Sequence, residues 1–147
     1  MNYDEVEILF AEDSMDDAVL TIRALTKSGF TNKLLHVKDG AEALDFFYCT
    51  GVYALRNRKE NPKLILLDLK MPKMSGMQVL EKIKADPELK SIPVVILTSS
   101  REDPDVEKCY ALGANSYIVK PVDSSNFSQA IEKIGVYWMI LSQSPHN

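Results

Sequence analysis

Only two cysteines and two histidines occur among the 147 residues. Cys49 and Cys109 have no metal-ligand spacing and read as small reduced core residues of a cytosolic protein. His36 stands alone inside the chain and His146 lies in the tail, so a histidine-based triad or zinc site lacks its parts. Positive charge is not in excess either. Seventeen Lys and Arg against 21 Asp and Glu leave a net charge of -4, which removes the electrostatic case for a nucleic-acid or anionic-membrane partner. No apolar run approaches the ~20 residues of a membrane span. The opening Met1-Asn2-Tyr3-Asp4-Glu5 lacks the basic start of a signal peptide. There is no internal repeat and no low-complexity segment. With 46% hydrophobic and 26% charged residues, the chain reads as one cytoplasmic globular domain with a real core.

What is present centres on Lys63-Leu64-Ile65-Leu66-Leu67-Asp68-Leu69-Lys70-Met71-Pro72. A short apolar run of this kind fits a strand buried on both faces of a parallel sheet. A charge inside such a strand is costly. At its carboxyl end, Asp68 instead faces the crevice where open α/β sheets place ligands. Taken alone, Asp68 reads equally as the start of a turn before Met71-Pro72.

The remaining chain supplies the context. Val6 to Ala11 reads as a strand ending at Glu12-Asp13. A helix follows, with Ser14 as N-cap, Asp16 and Asp17 in its dipole-favoured first turn, and a buried stripe of Met15, Ala18, Val19, Ile22 and Leu25. Ser28-Gly29 ends it. Leu34 to Val37 is a second strand. Asp39 then opens a helix with Glu42 three residues on, and that helix stops near Gly51. Val52 to Pro62 reads as a solvated basic connector, with partner docking as the alternative. After Asp68 comes the turn 71–76, a helix carrying Met77, Val79, Leu80 and Ile83, and a fourth strand, Ile92 to Leu97, with Thr98-Ser99-Ser100 at its end. Asp103-Pro104 caps the next helix, and Ser116 to Val119 is the fifth strand, closed by Lys120-Pro121. The last helix starts near Asp123 and carries Phe127, Ile131, Ile134, Trp138 and Leu141. Five strands alternating with five helices imply a doubly wound, flavodoxin-like α/β fold around a parallel sheet.

In such a sheet all strand ends lie on one edge. Glu12 and Asp13, Asp68, Thr98 and Lys120 then converge. Crowded carboxylates repel unless a cation joins them, and oxygen-only ligands with open positions suit Mg²⁺. Asp68 has the chemistry of a phosphoryl-accepting nucleophile, while Thr98 and Lys120 can each meet a phosphoryl oxygen.

These residues resemble a response-regulator receiver domain. The resemblance rests on the acidic pair Glu12-Asp13, the Asp68-Leu-Lys-Met-Pro block followed by Ser75-Gly76, Thr98-Ser, and Lys120-Pro121. The intervals of 30 residues from Asp68 to Thr98 and 22 from Thr98 to Lys120 also fit, and the match covers residues 6–141. The resemblance implies strand order 2-1-3-4-5 and a single receiver domain over 1–147. It implies a histidine kinase donating its phosphoryl to Asp68, and Mg²⁺ on Glu12, Asp13, Asp68 and the Lys70 carbonyl. It further implies a cis Lys120-Pro121 peptide, a switch pairing Thr98 with Tyr117, and hydrolysis tuned at Lys70 and Ser100.

No effector domain follows, so output is expected through protein contacts on the fourth helix, fifth strand and fifth helix, including a homodimer. The consecutive apolar residues Val136 to Leu141 support that expectation. The long connector and late Trp138 resemble receivers paired with bacterial phytochrome kinases. Three other readings compete. A haloacid-dehalogenase-type hydrolase needs a second Asp at position 70, which is Lys70. A flavodoxin needs a phosphate loop where Glu12-Asp13 would repel phosphate. A pseudo-receiver would lack a residue required for phosphorylation, and none is missing. The chain therefore reads as a signalling phosphoacceptor, not an enzyme.

Overall fold

The computed structural model describes residues 2–29 and 33–135. Five strands, β1 (Ile8–Ala11), β2 (Leu34–Val37), β3 (Leu64–Asp68), β4 (Val94–Thr98) and β5 (Ser116–Val119), form one parallel sheet in the order β2-β1-β3-β4-β5. Five helices follow them in turn: α1 (Met15–Lys27), α2 (Gly40–Tyr48), α3 (Gly76–Ala85), α4 (Pro104–Leu112) and α5 (Ser124–Ile134). Among the described residues, no helix is long and apolar enough to cross a membrane.

The uninterrupted apolar strands are explained by a core on each face. Leu9, Ala11, Ile65, Leu67, Val94 and Ile96 point to one side, where they meet buried residues of α2, α3 and α4. Ile8, Phe10, Leu64, Leu66, Val95 and Leu97 point to the other, against α1 and α5. Alternate residues of each strand thus serve different cores, which is the side-chain period of a pleated strand.

Local signals set the helix starts. Ser14, Asp39, Ser75, Asp103 and Asp123 each cap a helix by accepting a backbone N–H. Only half of the expected Asp39/Glu42 box forms: Asp39 accepts from Glu42 N, but Glu42 turns to Lys38 N. Helix α5 ends at Ile134, with Gly135 in the left-handed conformation (φ 71°). The apolar run from Val136, including Trp138 and Leu141, lies outside the described residues.

Two expectations are corrected. The inward face of α1 is Ala18, Thr21, Ala24 and Leu25, whereas Met15, Val19 and Ile22 are 66%, 48% and 37% exposed. Two adjacent stripes on this helix share the same spacing, and the one with small residues packs inward beside α5. The connector is not a solvated loop throughout. Tyr53 and Arg56 are buried in it. The Arg56 guanidinium stacks 4.0 Å from the Phe46 ring centroid and donates to the carbonyls of Phe46 and Glu60, to Cys49 Sγ and to Asn61 Oδ1. A planar group with several fixed donors can terminate several loose chain ends at once.

Replacing Arg56 by Met would leave two carbonyls without their donor. Urea unfolding should show a loss of about 3 kcal/mol, where a solvated loop arginine would change stability by less than about 0.5 kcal/mol.

Candidate functional site

The carboxyl ends of the strands align through their register. Asp68 sits opposite Leu97, Thr98 opposite Val119, and the backbone N–H groups of Glu12, Leu69 and Lys120 continue the ladder to Val37, Leu97 and Thr98. Gly76 backs directly onto the Asp68 carbonyl, where any Cβ would collide with backbone. The N-terminus of α3 therefore fixes the height of the Asp68 main chain. His36 Nε2, 2.7 Å from the Glu12 carbonyl, steadies the acidic pair from the β2 side.

Glu12, Asp13 and Asp68 bring carboxylate oxygens within 4.8 Å of one another. Glu12 and Asp68 are buried and Asp13 is exposed. Into this group reaches the Lys120 ammonium, 3.0 Å from Glu12 Oε1 and 3.0 Å from Asp68 Oδ1. The Lys120-Pro121 peptide behind it is cis, as the resemblance implied. Glu12 Oε2 accepts from Ser14 N, whereas Oε1, although it touches the ammonium, carries no well-angled hydrogen bond. Burial, reinforced by the hydrogen bond and charge of Asp68, pushes the Glu12 carboxyl up from 4.5 to about 7 against the opposing pull of Lys120. Burial alone would lower the Lys120 ammonium, but Asp68 and Glu12 outweigh it and hold Lys120 above its ordinary value. The donors are all oxygen and one buried oxygen is incompletely satisfied, so this group fits a hard cation such as Mg²⁺ or Mn²⁺.

Lys70 and Thr98 line the same place, whereas Ser100 and Tyr117 lie outside its lining. A depression of about 240 Å³ is bounded by Glu12, Asp13, Asp68, Lys70, Thr98 and Lys120. A larger one, about 450 Å³, lies at Tyr3 and 51–56, away from these strand ends. Thr98 is buried, and its hydroxyl donates to the Ser100 carbonyl at 3.0 Å and accepts from Ser100 N at 3.3 Å. It is thus tied to its own loop. Ser100 contributes through its backbone, while its hydroxyl accepts from Glu102 N. Tyr117 is half-buried and meets Tyr110 edge-on at 6.0 Å. Lys70 is 74% exposed and extends to Asp103 Oδ2 at 3.5 Å, across the mouth of the site.

Two partners escaped the sequence reading. Asp103 was read only as a helix cap, and Asp17 only as a first-turn acid. Asp17 Oδ2 in fact accepts from Lys120 Nζ at 3.2 Å, a contact spanning 103 residues of chain. No local pattern signals such a pair.

Residues 8–132 match the response regulator receiver domain. The chain belongs to that family. Among curated relatives, the probable methanogenesis regulatory protein FilR2 of Methanothrix harundinacea is 36% identical over 138 residues, covering 94% of this chain and 86% of its own. Response regulator Rcp1 of Synechocystis is 37% identical over 132 residues, covering 90% and 88%. Its Mn²⁺-bound crystal structure superposes with a TM-score of 0.72 at 36% identity, covering 95% and 96%. The bacteriophytochrome response regulator RtBRR superposes with a TM-score of 0.86 at 45% identity, covering 96% and 84%. The receiver fold is thus shared over nearly the whole chain, and the phosphoacceptor role in two-component signalling goes with it.

The raised Glu12 value has a signed consequence for stability in chelator. A carboxyl raised by folding contributes stability that is fully present below pH 4.5 and is lost as pH rises through about 7. Glu12→Gln removes that loss. Relative to wild type, the variant should gain stability in thermal melts at pH 8 compared with pH 5.

Proposed function

We propose that Asp68 accepts a phosphoryl group from the phosphohistidine of a sensor histidine kinase. The observation that carries this reading is the Asp68 carboxylate at a buried strand end, 3.0 Å from the Lys120 ammonium and grouped with Glu12 and Asp13. An Asp68 carboxylate oxygen attacks phosphorus. The P–N bond breaks, and its electron pair leaves on the imidazole. Lys120 meets negative charge on the phosphoryl oxygens as the new O–P bond forms. Glu12, Asp13, Asp68 and the Lys70 carbonyl would hold Mg²⁺, which would supply further charge neutralisation there.

Thr98 exchanges its bond to the Ser100 carbonyl for one to a phosphoryl oxygen. Tyr117 then turns into the space behind it, altering the surface of α4, β5 and α5. That surface serves as the output face, by docking a target or pairing two copies of the chain. The protein is a phosphorylation-dependent switch of the cytoplasm, whose only chemistry is its own phosphorylation and slow dephosphorylation. Similarity to the bacteriophytochrome response regulator RtBRR and the cyanobacterial phytochrome response regulator RcpA supports a phytochrome-type kinase as the donor.

Incubation with magnesium and acetyl phosphate should add the mass of one phosphoryl group to the intact chain and none to Asp68→Asn. Addition at another residue, or none in wild type, would refute the assignment. Lys70 and Ser100 flank the phosphoryl and tune its hydrolysis, with Lys70 shielding the mouth. Lys70→Ala should change the phosphoryl half-life, and an unaltered half-life would remove Lys70 from that role.

A further inference from the structure

The pattern Ser14-x-x-Asp17 is a helix-start pattern, in which the third helical residue ordinarily reaches back to the capping residue's N–H. That does not happen here. Ser14 Oγ accepts from Asp17 N at 3.2 Å, but Ser14 N is taken by Glu12 Oε2. The Asp17 carboxylate is thereby left free of its local duty, and it turns to Lys120.

An ammonium has three N–H donors. The Lys120 ammonium lies within ion-pair distance of three carboxylates, Glu12 at 3.0 Å, Asp68 at 3.0 Å and Asp17 at 3.2 Å, and only the Asp17 contact is a well-angled hydrogen bond. A phosphoryl oxygen would be a fourth acceptor, so one must yield. The three are not equal. The Glu12 and Asp68 side chains are 0% and 6% exposed, and water cannot replace the lysine there. The Asp17 side chain is 40% exposed, so water can take over its lost contact. Asp17 also lies in the first turn of α1, where the helix dipole favours its charge with or without the lysine.

We infer that Asp17 is a positioning residue: it holds the Lys120 ammonium while the site is empty and is the partner the phosphoryl group displaces. This rests on the proposed role of Asp68. Asp17 is then a competitor for Lys120, and its negative charge also opposes an incoming phosphoryl anion. Both effects favour the unphosphorylated state.

The first test needs neither metal nor donor. Reductive methylation of the intact chain in chelator, mapped by mass spectrometry, reads the accessibility of the Lys120 amine. Lys63, 20% exposed and paired with Glu7, serves as internal reference against Lys120 at 17%. Asp17→Asn should raise Lys120 labelling about threefold with Lys63 unchanged, the size expected of a partly exposed ion pair, and Asp17→Glu should restore it. With magnesium and limiting acetyl phosphate, the ratio of phosphorylated to unphosphorylated chain should also rise about threefold in Asp17→Asn. Unchanged Lys120 labelling overturns the inference. So does raised labelling with a lowered phosphorylated ratio, because Asp17 would then support the phosphorylated state. A wild-type chain that takes no phosphoryl on Asp68 overturns the function proposed above and the displacement with it, while labelling still reports the contact.

Discussion

One ammonium among carboxylates organises this molecule. Lys120 Nζ lies between Glu12 and Asp68, both of which burial would otherwise make costly to ionise. The contact joins the ends of three strands, the neighbours β1 through Glu12 and β3 through Asp68, and β5 through Lys120 from across β4. Removing either buried acid would leave the lysine with fewer partners in a poorly solvated place. Removing the lysine would leave two acids facing each other. The elevated Glu12 value shows that even with the lysine present the balance is incomplete. A site left short of positive charge is suited to receiving more of it.

The same edge shows what a sequence can and cannot convey. Strand ends were legible because the apolar runs of β1, β3, β4 and β5 each end in a chemical marker, and parallel topology then forces the markers together. Glu12, Asp68, Thr98 and Lys120 needed no knowledge of side-chain direction. The α1 face needed such knowledge: Ala18 and Leu25 of the expected stripe do turn inward, but Met15, Val19 and Ile22, which repeat at the same interval as the inward residues, do not. Small residues such as Thr21 and Ala24 carry little hydropathy signal, yet they permit the close approach of a neighbouring helix. Arg56 was illegible for a different reason. A basic residue among Asn57, Arg58 and Lys59 has no local mark of burial, and its partners lie in α2 and at the far end of the connector. Asp17 was seen but given a local role, since its distant partner follows from topology alone.

The relatives fit this division. The receiver fold is common ground with FilR2, Rcp1 and RtBRR, and in this chain its strand ends carry the charged group. The exposed faces of α1, the connector and α4 lie outside the charged edge. The connector, knotted around Arg56, is a firm surface of this kind.

Gly76 closes directly on the Asp68 carbonyl, so the backbone carrying the acid is wedged against the start of α3. On the opposite flank, the loop after Thr98 is held by two hydrogen bonds between that hydroxyl and Ser100, and by a solvent-facing lysine gripping the cap of α4. One wall of the crevice is rigid and the other is fastened by polar contacts that a new anion can undo. In the proposed switch the glycine flank would then act as the fulcrum, and the flank carrying the fourth helix as the arm that gives.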